Sequence, residues 1–164
     1  MFDPTAYENL KVVLEGALYD LDLSGEIKVI GRKDLIDLAS LSRLYEVTAA
    51  LSSKESHIAA SIRLEAGMKQ LASELLDLTD SSPGVVAEIE FKGDRDDLTD
   101  RNINLIKEMW GTDRLYEENN IISSLKPPAR SLLLTFDRMI TEEMVDDLLE
   151  MTHHTVKTLT ALSR

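Results

Sequence analysis

Two short stretches carry residues whose types and spacing could do chemistry. In "GDRDDLTDRN", Gly93 to Asn102, four carboxylates stand close together: Asp94, Asp96, Asp97 and Asp100. In "LLEMTHHTVK", Glu150 and His153 form an E-x-x-H pair, and Glu150 and His154 stand four residues apart. The first could take a hard cation through oxygen ligands. The second has the ligand types and spacing used in carboxylate-bridged di-iron bundles.

Neither pattern survives a check of its geometry. A calcium loop of the EF-hand kind needs oxygen ligands at alternate positions and a glycine at its sixth. Counted from Asp94, the fifth position is Leu98 and the sixth Thr99, and counts from Asp96 or Asp97 supply no glycine either. Aspartates before and within a first helical turn accept orphan backbone N–H groups and complement the helix dipole, so the stretch is read as a helix start. For the second pattern the helical projection decides. At about 100° per residue, Val145, Leu148, Leu149, Thr152, Val156 and Leu159 centre on one side. His154 and Glu143 then point nearly opposite, and Glu150, His153 and Lys157 fall on the flank. A second E-x-x-H is missing from the sequence. Both histidines are therefore expected on the surface.

Other chemistries find less support. There is no G-x-S-x-G elbow, and the third histidine, His57, sits beside a serine-rich turn. The 7 glycines are scattered at element ends, and neither G-x-G-x-x-G nor G-x-x-x-x-G-K-[ST] occurs. Lys126, Arg130 and Arg138 gather near the last strand and are read as solvated cations. The absence of cysteine removes disulfides, thiolate catalysis and Cys-ligated metals together. No catalytic, cofactor-binding or metal-ligating residue is assigned, and the reading leans away from an enzyme.

The elements that would position any site follow from periodicity. Asp3-Pro4 reads as an N-cap with proline at the first helical position, with Thr5-x-x-Glu8 as an alternative capping box. A helix from there to about Gly16 is expected, then a hairpin in which "ALYDLDL" turns at Ser24-Gly25 into "EIKVI". Residues 34–41 are open between strand and short helix. "LYEVTAAL" places Tyr45, Val47, Ala49 and Leu51 on one face, and "HIAASIRLE" places Ile58, Ala60, Ile62 and Leu64 likewise, with Ser52 to Glu55 connecting them. "VVAEIEFK" alternates Val85, Ala87, Ile89 and Phe91 against polar neighbours. One-sided alternation of this kind argues for antiparallel pairing with one face buried. "MKQLASELLDL" predicts a helix with Met68, Leu71, Ala72 and Leu75 inward, ended by "SSPG". Leu98, Asn102, Leu105, Ile106 and Met109 form the stripe of the next, stopped by Gly111. The stretch 112–130 is the least regular. "SLLLTFD" returns to alternation at Leu132, Leu134 and Phe136, and Thr141 is expected to cap a last helix. The fold class is α+β: a mainly antiparallel sheet with helices packed on one face and a long C-terminal amphipathic helix, in a single domain over 1–164.

Composition narrows the partners. The net charge of -12 repels phosphate backbones and anionic membrane surfaces, so neither nucleic acid nor membrane is expected as a partner. No apolar run approaches the ~20 residues of a membrane span, and the N-terminus lacks a signal peptide's pattern, which points to the cytoplasm. The last helix carries a second row, Met144, Met151, Thr155 and Leu162, beside its core stripe. The two cover roughly 160°, wider than one sheet face needs. That row is a candidate interface for a homodimer, or else core against another helix of the same domain. Two functions remain open. One is a non-enzymatic acidic interaction domain that self-associates and also presents a surface to another protein. The other is a small-ligand-binding or enzymatic domain with its pocket between the sheet and the C-terminal helix.

Overall fold

The computed structural model describes residues 5–53, 57–76 and 83–163. The Asp3-Pro4 cap, most of the connection after Ser53 and the end of the second helix lie outside them.

Helix α1 runs Thr5–Leu23 without a break at Gly16. Gly16 faces outward, where a side chain would meet nothing, so its cost is the ~1 kcal/mol of backbone freedom alone. Leu10, Leu14 and Leu18 meanwhile stay buried at helical spacing on the other side. The expected hairpin at 17–30 is therefore corrected. Ser24-Gly25 is the helix's C-cap: the Glu26 N–H reaches back to the Leu21 carbonyl and the Gly25 N–H to Asp22. Gly25 takes φ 84, which is the Schellman pattern.

The chain then enters β1 (Ile27–Asp37), β2 (Ser42–Leu51) and β3 (Ala59–Ala66). After α2 (Met68–Leu76) comes β4 (Gly84–Asp94). Helix α3 (Asp100–Trp110) leads to β5 (Leu115–Ile121) and β6 (Ala129–Thr135). A two-residue β7 (Ile140–Thr141) and a 3-10 turn (Glu142–Met144) precede α4 (Val145–Leu162). The sheet order is β1-β2-β3-β4-β6-β5, antiparallel throughout, with β7 also on β4. Residues 34–37 are strand; a turn follows in which the Asp37 carboxylate accepts from the Ala39 and Ser40 N–H groups.

One face of the sheet is apolar. Tyr45, Val47, Ile62, Leu64, Ile89, Phe91, Leu132 and Leu134 are buried there with residues of α1, α3 and α4. The other face carries Arg63 between Glu46 and Glu90, a charge ladder across three strands. Several expected stripes shift. Met68 is exposed while Leu71 is buried. In α3 the fully buried positions are Ile103, Ile106 and Trp110, with Asn102, Leu105 and Met109 on the margin. Thr141 makes no side-chain cap; it pairs with Gly84 in β7, and a 3-10 turn starts the last helix instead.

The candidate interface row lies largely against the rest of the same chain. Met151, Thr155 and Leu162 are buried within the single chain, and only Met144 is half-buried. Helix α4 packs on α1, on α3 and on the sheet at once, so three neighbours cover the wide apolar arc. Its threonines turn inward at little polar cost, because Thr152, Thr155 and Thr158 each donate to the carbonyl four residues back.

Candidate functional site

The site begins with an irregularity on β4. Its residues Glu88 to Asp94 pair with β6, and Gly84 and Val85 pair with β7. Between these runs four residues, Phe136 to Met139, stand opposite two, Val86 and Ala87. The surplus cannot lie flat and bulges, which re-aims side chains at the edge of a sheet. Gly84 makes the return to β4 possible: a Cβ there would stand 2.6 Å from the Ile140 carbonyl oxygen. The bulge sends Phe136 and Arg138 toward the end of α3.

Helix α3 supplies the facing wall. It starts at Thr99, whose side chain accepts from the Asn102 N–H, and stops at Gly111, which takes φ 89. Trp110, the last helical residue, lies edge-on to Phe136 with ring centroids 5.9 Å apart. Helix α4 forms the third wall. His154 packs edge-on against Trp110 at 4.5 Å, and its Nε2–H donates to the Met109 carbonyl at 2.9 Å. One turn on, Thr158 Oγ1 accepts from the Trp110 indole N–H at 3.1 Å.

These walls enclose a cavity of about 290 Å³, open on one side. Its apolar lining is Met109, Trp110, Phe136, Ile140, Met144 and Met151; Arg114, Arg138, Asp147, Glu150 and His154 supply the polar groups. The volume is near the small end of ligand sites, and the mix of aromatic walls with a few polar groups is their usual composition. Arg138 and Asp147 pair loosely at the rim, at 3.5 Å. Arg114 is different. Its guanidinium lies over the Phe136 ring at 5.0 Å, it donates to the Asp113 carbonyl at 3.3 Å, and its Nε is buried without a partner among the described residues. It has no carboxylate partner among the described residues, in a chain of net charge -12. Neighbouring Tyr116 donates to the Gly111 carbonyl. Burial pushes the Tyr116 hydroxyl's pKa up, against the pull of the Arg114 charge.

The residues singled out in the sequence are placed as follows. Asp94 ends β4, and its carbonyl accepts from the Asp97 and Leu98 N–H groups. The helix cap is Thr99, and Asp100 pairs with Arg130 at 2.9 Å. Among the described residues no group of His, Cys, Asp or Glu is arranged to hold a metal. His57 and His153 are exposed. His154 is not on the surface as expected: it is half-buried between α3 and α4. Arg130 is likewise ion-paired and half-buried, while Arg138 stands exposed at the cavity rim.

Periodicity could not assemble Trp110, Arg114, Phe136 and Met144 into one place, because they come from separate elements. The one available signal was the sequence's single tryptophan at a helix end beside a glycine stop. No helix among the described residues is long and apolar enough to cross a membrane. Compared with known proteins, the chain matches no family model, no curated protein and no solved structure.

Proposed function

We propose that the protein is a non-enzymatic binding domain whose ligand seats in the cavity between the β6–β7 bulge, the end of α3 and α4. The observation that carries this is the lining: an edge-on Trp110–Phe136 pair with methionines beside it and, at its side, a guanidinium with no carboxylate partner among the described residues. Methionines adapt to the shape of what they meet, and aromatic rings supply most of the contact area in such sites. The lining holds no serine, threonine, cysteine or lysine, and the His154 Nε2 is engaged by a backbone carbonyl. Binding is thus a better fit to the cavity than covalent chemistry.

The test is amide NMR of the labelled protein against a set of small apolar acids, amines and neutral compounds. Binding at this site shifts resonances of Trp110, Arg114, Phe136 and Met144 together. Shifts scattered elsewhere, or none with any compound, would refute the reading. Self-association stands as a second proposal on a different observation. Leu35, Ile36, Leu38 and Leu41 are all exposed at the β1–β2 turn, a cluster of a kind that marks contact surfaces. Sedimentation equilibrium of the wild type and of Leu38→Asp separates the two, because that turn is remote in sequence from every residue of the cavity lining.

A further inference from the structure

We propose that the cavity selects a monoanion: a single carboxylate carried on an apolar or aromatic body, with the carboxylate on Arg114 and the body between Trp110, Phe136 and Met151. This rests on the binding reading above and names its ligand class. The cation is the first support. Arg114 is half-buried, stacked on Phe136, and offers donors that no carboxylate of the described residues takes. A guanidinium presents its N–H groups in a planar fork that matches a carboxylate, and stacking on a ring fixes the plane of that fork in advance.

The surroundings set the charge of the ligand. Arg138 is already partnered by Asp147, and Glu150 stands at the same rim. Among the described residues, one lining guanidinium without a carboxylate partner therefore faces a rim of acids in a chain of net charge -12. A phosphate monoester with two charges would meet one cation and a repulsive field; a carboxylate meets one cation with one charge. The volume sets the size. About 290 Å³ takes a phenyl ring with a short chain, not a dinucleotide or a long lipid.

This ligand chemistry could come from a free carboxylic acid or from the C-terminal residue of a peptide. Titrations followed by Trp110 emission decide between the possibilities, because the only tryptophan lines the cavity. The probes are 3-phenylpropionate and N-acetyl-L-phenylalanine, each against its neutral amide. Each acid is expected to bind about tenfold tighter than its amide, since a charge-assisted hydrogen bond is worth roughly that factor. Tighter binding of the acetylated amino acid assigns the site to a peptide terminus; tighter binding of phenylpropionate assigns it to a free acid. In Arg114→Gln the acid-to-amide ratio should fall to about one, and Arg114→Lys should restore part of it. Circular dichroism confirms that each variant is folded. Equal binding of acid and amide by the wild type, or a ratio unchanged in Arg114→Gln, overturns the inference and leaves the binding reading standing. If no probe, charged or neutral, binds at all, both fall.

Discussion

Replacing His154 by alanine should cost the fold about 1.5 kcal/mol, and the figure follows from two contacts and a difference in helix propensity. The hydrogen bond from Nε2 to the Met109 carbonyl, at 2.9 Å, is worth about 1 kcal/mol. The edge-on contact with Trp110 at 4.5 Å adds about 1 kcal/mol. Alanine's better helix propensity returns about 0.5 kcal/mol. For a domain of this size the difference lowers Tm by about 4 °C. The neighbouring variant His153→Ala is the control. His153 is exposed and hydrogen-bonds to the Leu149 carbonyl of its own helix, so its removal should stay within about 0.5 kcal/mol. Urea denaturation at one fixed pH, read by far-ultraviolet circular dichroism, measures both without relying on Trp110 emission, which the substitution itself alters. A His154→Ala protein as stable as the wild type, or two variants with equal losses, would show that the α3–α4 contact does not hold the ring.

Three further outcomes follow from the packing. Met151→Asp places a carboxylate in a site 7% exposed within the single chain, so it should cost more than ~3 kcal/mol and unfold much of the population. A folded Met151→Asp with wild-type Tm and a smaller assembly by sedimentation would restore the interface reading. Gly84→Ala forces a methyl group to within 2.6 Å of the Ile140 carbonyl; the expected loss is about 1–3 kcal/mol, with NMR shifts at Phe136 and Arg138, and a silent variant would show that β7 moves freely. At high pH, burial pushes the Tyr45 hydroxyl's pKa up, aided by its hydrogen bond to Glu15. Burial does the same for Tyr7, with Asp34 adding to it. The neutral hydroxyls are thus favoured in the folded state. Their contribution is complete below the unfolded pKa of about 10 and is lost as pH rises above it. Stability should therefore fall from about pH 10 upward, with a shallower fall in Tyr45→Phe; phenolate absorbance appearing at these tyrosines before unfolding would contradict this.

The parts of the fold legible in the sequence are those where one face is dry and the other wet. Strands β2, β3, β4 and β6 alternate because their inward residues meet the helices and their outward ones meet water. Strand β5 was hidden. Its sequence, LYEENNI, is exposed on most of its length, and its conformation is imposed by pairing with β6. The length of α1 was hidden for a different reason: "ALYDLDL" satisfies both periods, and only burial of Leu18 on the side of Leu14 decides for the helix. His154 was misplaced because the projection of α4 was centred on its apolar residues. Thr158, which neither row included, is a core position whose hydroxyl bonds its own helix, and counting it widens the buried arc toward His154. The cavity itself depends on a four-against-two mismatch between strands, a property of pairing that no single strand displays.

The contact between α1 and α4 has a consequence for the order in which the molecule is made. The β1 to β4 strands pair through near neighbours in the chain, whereas α1 must wait for a helix that starts about 120 residues after its own end. Closing a loop of that length costs about 2 kcal/mol more than closing one of ten residues. The docking of α4 is therefore expected late, after the sheet has formed. Until it arrives, Leu10, Leu14 and the apolar face of the sheet have only part of their cover, and the half-finished molecule is the species most exposed to aggregation. The cavity is completed in the same step, since α4 and the 3-10 turn before it bring Met144, Met151 and His154 to it. On the proposed binding reading, a ligand present during synthesis would raise the yield of folded protein by mass action.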